Sequence, residues 1–342
     1  MDAIPPEDLE VGGTNAPVHS CTLTPDFAAS RVEGAARYRH TLEGGRHLDA
    51  LVVNKSSDVL VVTFHGAVDR AKTDIPRFER LRSMSKFPVS AMYIVDPTLW
   101  MDERMQLSWY VGWEGFDAQR VIADWALRAA RAVGATRIVF SGASGGGFAA
   151  LQVSALVPRS LALAFNAQTS IHRYRVNGLP WAQQHLMRVV WPELAPDGVQ
   201  AVNFDEDWTA QLDDRMSALR RYSQPLENYA TFVINRNEDH YEGHYWPWLA
   251  AAARGNNLGR IQGIEYDGSK IHNPPTTEVF DRGITGALDR ARELPPTITS
   301  GTAKSGEAAA PREAGAGLGT AVRRLTRAAY AGIGRRLTLV AR

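Results

Sequence analysis

Cysteine occurs once in 342 residues, at Cys21. An internal disulfide framework is therefore excluded. Long apolar runs are lacking as well. Stretches such as 60–64 and 91–95 fall far short of the roughly 20 residues that a membrane-spanning helix needs. No sign of charge dominates: 38 Lys and Arg stand against 37 Asp and Glu, a net of +1. That balance excludes a body built chiefly to grip nucleic acid. Residues 1–10 hold four acids and two prolines. This is not the pattern of a secretory signal, and a cytoplasmic protein is expected. What the chain does have is core material. Hydrophobic residues make up 44% and charged residues 22%, enough at this length to bury a sizeable core without staples.

The chain divides into an irregular arm at 1–34, a large domain at 35–296 and a tail at 297–342. The tail carries eight Lys and Arg against two Glu, a net of +6. Its first part, 301–320, is rich in Gly and Ala and reads as a flexible linker. Beyond it, Val322, Leu325, Ala329 and Ile333 recur at helical spacing with Arg323, Arg324 and Arg327 between them. A short basic amphipathic helix follows from that pattern. It could lie on an anionic membrane surface or dock on a partner or on the acidic body, or the tail could simply be solvated.

Between the ends, short apolar runs alternate with helical patterns. Strands are expected at 48–54, 60–64, 89–95, 137–141, 160–166, 231–235 and 260–266. Helices are expected at 116–132, 147–156, 242–253 and 276–293. This alternation predicts an α/β architecture, a mostly parallel sheet with helices on both faces. The segment 168–227 breaks the rhythm. It is too long for a simple crossover and reads as a helical cap inserted in the domain.

The sharpest chemical signal is Ile138-Val139-Phe140-Ser141-Gly142-Ala143-Ser144-Gly145-Gly146-Gly147-Phe148. An apolar strand runs into Gly-x-Ser-x-Gly and then a small-residue helix start. A serine on so tight a turn needs glycines on either side to make room. The turn lifts the Ser144 hydroxyl off the sheet and puts the Gly145 amide at a helix N-terminus, where it can face a developing oxyanion. A Walker phosphate loop is excluded, because Gly-Lys-Ser/Thr is missing. A second strand ends in His65-Gly66-Ala67. This is where the other oxyanion donor is expected, the backbone of Gly66 or Ala67, with His65 in a supporting role at the pocket.

A serine nucleophile needs a base, and the base needs an orienting acid. With this elbow the chain order is serine, acid, histidine. Of the histidines after Ser144, His172 and His185 fall in the cap segment. That leaves His240, His244 and His272. His272 follows the last strand and precedes Pro274-Pro275, so it is the expected base. The acid turn after 231–235 is Arg236-Asn237-Glu238-Asp239-His240. Asp239 is preferred, with Glu238 as the alternative. His240 and His244, four residues apart, could instead share a metal on one helix face, with Asp239 as a third ligand. Otherwise they line the pocket or hold the acid loop.

Taken together, His65-Gly66, the elbow, the acid turn and His272 make the chain resemble an α/β-hydrolase-fold serine hydrolase over about 35–293. The elbow is similar to the Ser-Gly-Gly-Gly version of a poorly characterised bacterial group, some of whose relatives act in surface-glycan pathways. The resemblance implies esterase chemistry through an acyl-enzyme on a small-molecule or glycan ester, with no metal or organic cofactor. Members of this fold also include acyltransferases, which transfer to a hydroxyl instead of water, and non-catalytic proteins. A binding protein of a cell-envelope assembly is thus the reading from another class.

Overall fold

The computed structural model describes residues 16–299. The arm before residue 16, the Gly/Ala linker and the basic amphipathic segment lie outside the described residues. A nine-stranded sheet organises the domain, in the order β1-β2-β3-β5-β4-β6-β7-β8-β9. The strands are β1 Val18–Cys21, β2 Gly34–Thr41, β3 His47–Asn54, β4 Val59–Phe64, β5 Ser90–Ile94, β6 Arg137–Ala143, β7 Leu161–Phe165, β8 Tyr229–Asn235 and β9 Ile261–Tyr266. The β2–β3 and β3–β5 pairs are antiparallel. All other neighbours run parallel. This is the α/β-hydrolase fold.

Side chains alternate across the sheet because successive residues of a strand point to opposite faces. Leu60, Val62, Phe64, Ile138 and Phe140 enter one core with Ile122, Trp125, Ala126 and Ala129 of α2, Ala118–Val133. Val59, Val61, Val139 and Leu163 enter the opposite core with Phe280, Ile284 and Leu288 of α7, Thr277–Glu293. Both faces of β4 are therefore buried, which is why it reads as an unbroken apolar run. α2 starts at the Asp117 cap and stops at Gly134, which takes a left-handed conformation that an L side chain adopts only at a cost. The short α1, Leu81–Ser85, lies before β5, and α3, Gly145–Ser154, follows β6 directly.

The structure departs from the sequence expectation at both ends of the domain. Within the expected arm, β1 pairs parallel with β2 at the sheet edge. β2 itself is an Ala-rich strand in which buried Ala36, Tyr38 and His40 alternate with more exposed Arg37 and Arg39. The other end differs too. Thr297 is buried, its hydroxyl donating to Arg159 O and accepting from Ile138 N. The Ile298 amide donates to Thr136 O. The body therefore continues past the expected boundary at 296.

The excursion between β7 and β8 carries α4, Trp181–Val190, and α5, Ala218–Tyr222, joined by short 3-10 turns. Leu186, Met187, Trp191 and Trp208 pack with Leu107, Trp109 and Phe148. The excursion thus sits over the start of α3. After β8, Tyr241–Tyr245 forms a π-helical turn before α6, Trp246–Arg254. Pro247 lacks an amide hydrogen, so an α-helical ladder cannot run through it from the preceding turn. No helix among the described residues is long and apolar enough to cross a membrane.

Candidate active site

β6 delivers the chain to Ser144, whose positive φ of 56° with ψ of −120° is a conformation that L residues rarely adopt. A non-glycine residue there carries strain that the surroundings must hold. Close packing supplies that hold. A Cβ on Gly142 would lie 2.3 Å from Gly146 O, and one on Gly146 would lie 2.4 Å from Phe64 O. Neither contact is tolerable, so the elbow requires glycine at both positions. The Ser144 amide donates to Phe165 O on β7 at 3.0 Å.

The Ser144 hydroxyl reaches His272 Nε2 at 2.9 Å, and His272 Nδ1 reaches Glu238 Oε2 at 2.9 Å. The carboxylate accepts from Nδ1–H, which leaves Nε2 as the acceptor for the serine proton. His272 sits on the loop after β9, as expected. The acid at its back is Glu238 rather than Asp239, which corrects the preferred assignment. The turn geometry decides it. Asn235 at the end of β8 accepts from the Asn237 and Gly268 amides and donates to Ser269 O. These bonds tie the acid turn to the His272 loop with Glu238 pointing inward, its side chain 1% exposed. Asp239 faces outward and is exposed. Burial pushes the Glu238 carboxyl up, while the hydrogen bond from His272 opposes that shift.

His240 is buried against His272, with ring centroids 4.1 Å apart. Its Nδ1 donates to Asn166 O at 2.9 Å. Burial, aided by the neighbouring His272, pushes it down to about 3. It is neutral near pH 7 and adds no charge beside His272. His244 is also buried, its Nδ1 accepting from the Thr169 amide at 3.1 Å, and burial lowers it well below the usual range. Asp239, His240 and His244 do not converge as the metal reading requires: Asp239 is exposed while both histidines are buried. Among the described residues, the ligand-type groups that do converge are Glu238, His240 and His272, with donor atoms within 4.8 Å of one another. Two of these three already face each other in the chain of contacts to Ser144.

His65 is buried, accepting from the Asp96 amide at Nε2 and donating from Nδ1 to Gly66 O. It fastens the turn after β4. A Cβ on Gly66 would lie 3.7 Å from Ser144 Cβ, so that turn abuts the elbow. Gly66, Ala67, Ser144 and His272 together line a cavity of about 240 Å³. Its wall is apolar at Phe165 and Phe280 and charged at Arg77, Glu79 and Arg80.

One contact had no signal in the sequence reading. The Gln168 side chain, fully buried, donates from Nε2 to Ser144 Oγ at 2.9 Å and accepts from Trp109 Nε1 at 2.6 Å. Glutamine belongs to no acid, base or nucleophile pattern, and Trp109 is far away in the chain. The pairing emerges only when the loop before α2 meets the end of β7.

No family model and no curated protein matches the sequence. Among solved structures, the chain is similar to carboxyl esterase 2 of the mycorrhizal fungus Tuber melanosporum. That match has 16% identity and a TM-score of 0.48, over 78% of this chain and 88% of the other. An esterase of Pyrococcus furiosus matches at 13% identity and a TM-score of 0.48, over 77% and 92%. A capsule O-acetyltransferase of Neisseria meningitidis serogroup A matches at 11% identity and a TM-score of 0.46, over 75% and 92%.

Proposed function

We propose that the protein is a serine hydrolase that cleaves an ester through an acyl-enzyme on Ser144. The observation that carries this reading is the pair of 2.9 Å contacts joining Ser144 to His272 and His272 to Glu238. His272 Nε2 takes the proton as Ser144 Oγ attacks the ester carbonyl. Glu238 holds the imidazole in the tautomer that can accept it and stabilises the imidazolium that results. The carbonyl electrons move onto oxygen, which faces the amides of Gly145 and of Gly66 or Ala67. One such donor is typically worth about 3 kcal/mol. The imidazolium then protonates the departing alcohol. Water, activated by the same histidine, releases the acid.

The small cavity beside Ser144 favours a short acyl group or a compact alcohol. Turnover of a p-nitrophenyl ester series from acetate to decanoate tests this. Activity is expected to be highest at the short end and absent in Ser144→Ala. A flat or rising series would remove the size argument, and equal turnover by Ser144→Ala would remove the function. Added glycan or small-molecule hydroxyls separate hydrolysis from transfer. If acylated acceptor forms at the expense of free acid, the enzyme is an acyltransferase with the same first half-reaction.

A further inference from the structure

Among the described residues, Ser144 Oγ has two side-chain neighbours at hydrogen-bonding distance, His272 Nε2 and Gln168 Nε2, each at 2.9 Å. Which end of the Gln168 amide faces the serine follows from its other partner. An indole nitrogen is a donor only. Trp109 Nε1 therefore requires the Gln168 oxygen, which turns the Gln168 NH₂ toward Ser144. The Gln168 backbone amide also donates to Ser144 O at 3.3 Å. An amide nitrogen cannot accept, so of these two neighbours it is His272 that can take the hydroxyl proton of Ser144.

The machinery behind this amide is heavily braced. Trp109 and Tyr110 have φ of 53° and 58°, two left-handed non-glycine residues in succession, a strain that persists only where the surroundings over-determine it. Buried Asp96 accepts from the Tyr110 amide at 2.7 Å and from the Ser108 hydroxyl at 2.8 Å. The Tyr110 hydroxyl accepts from the His65 amide at 2.8 Å. The turn that aims Trp109 at Gln168 is thus bonded to the ends of both β4 and β5.

We infer that Gln168 is a catalytic residue whose NH₂ group stabilises negative charge on Ser144 Oγ, and that Trp109 positions it. The inference rests on the serine-hydrolase reading. At Oγ, one direction is the bond to Cβ, one holds the proton shared with His272 and one accepts from Gln168. The remaining lone pair forms the bond to the substrate carbonyl. Gln168 gives up no proton in either half-reaction. In acylation the Oγ–carbon bond forms, the proton passes to His272 and the alcohol leaves. In deacylation water adds to the ester carbon, the carbon–Oγ bond breaks with its electron pair on Oγ, and His272 returns the proton there. In the resting acyl-enzyme Oγ is an ester oxygen, a weak acceptor. In the transition state for its departure it is nearly an alkoxide, a strong one. An interaction that strengthens on the way to the transition state raises the rate, so Gln168 acts most on deacylation.

Gln168→Glu keeps the shape and the acceptor for Trp109 but replaces the donor with a carboxylate. With p-nitrophenyl acetate near pH 8, acetyl-enzyme measured by intact mass is expected to persist about ten to a hundred times longer than in the parent protein. Acylation should slow less, and KM for the overall reaction should not rise. At lower pH the protonated carboxyl regains a donor, so the ratio of variant to parent deacylation should recover. Gln168→Met, which has no donor, should show the long-lived acyl-enzyme without that recovery. Trp109→Phe should lengthen the acyl-enzyme lifetime by a smaller factor, and it tests the proposal even if a Gln168 variant fails to fold. Parent-like acyl-enzyme lifetimes in folded variants would overturn the role of Gln168, and so would an equal loss in both steps at every pH. If the parent protein forms no adduct on Ser144, the serine-hydrolase reading itself fails.

Discussion

Glu238 combines two opposed demands. The base needs a fixed acceptor behind it, and a fixed acceptor must be taken out of water. Burial raises the carboxyl above its ordinary 4.5, so the ionised form is held in place at a cost in stability. The folded chain keeps that proton to a higher pH than the unfolded chain does. Stability therefore falls as pH rises through this range. Glu238→Gln should lower kcat by roughly three orders of magnitude or more. The same variant should melt a few degrees higher than the parent at pH 8, with the gain shrinking toward pH 4. Asp239→Asn, on the exposed side of the turn, should leave kcat within about twofold. Steady-state kinetics and thermal melts across pH check all three. The sequence showed two adjacent acids after β8 but not which one faced inward. That choice depends on the Asn235 bonds to Gly268 and Ser269, which join positions 33 and 34 residues apart.

Among the elements, the elbow was the most legible, because an apolar strand, Gly-x-Ser-x-Gly and a helix start all lie in one short stretch. Its glycines carry a sharp expectation. Gly146→Ala would drive a methyl to 2.4 Å from Phe64 O, with no flexible side chain to give way. A loss of about 2 kcal/mol or more is expected, since overpacking of this kind commonly costs 1–3 kcal/mol, together with loss of covalent labelling. Denaturant unfolding measures the first and probe gels the second. The π turn and its histidines yield a pH prediction. The unfolded chain protonates His240 near 6.5, but the folded chain does so only near 3. Between those values acid favours unfolding, by about 1.4 kcal/mol per pH unit for one such histidine. His240→Gln should flatten the loss of stability between pH 6 and pH 4 relative to the parent. An unchanged slope would mean that the ring is not held neutral. β2 was less legible, although its alternation was present. Alanines at its buried positions carry little hydrophobic signal and little strand propensity.

For the whole molecule, the sheet, its two covered faces and the excursion after β7 were readable from the spacing of apolar runs. The contacts that close the body were not, because they join distant ends. Thr297 meets Arg159 and Ile138, and Ile298 meets Thr136. Their sequence context, after Pro295-Pro296 and ahead of a Gly/Ala-rich stretch, looks like the beginning of a tail. Ending the chain after Pro296 should therefore lower the melting temperature by several degrees. Ending it after Ser300 keeps these bonds and should cost much less. Equal melting temperatures for the two truncations would show that the contacts contribute little.

The central claim is that Ser144 is a nucleophile activated by His272. Fluorophosphonate labelling followed by peptide mass mapping tests it most directly. The account predicts one stoichiometric adduct on the peptide bearing Ser144. It predicts none in Ser144→Ala, and labelling slowed by several orders of magnitude in His272→Ala. An adduct on another residue, or undiminished labelling of Ser144 without His272, would contradict it.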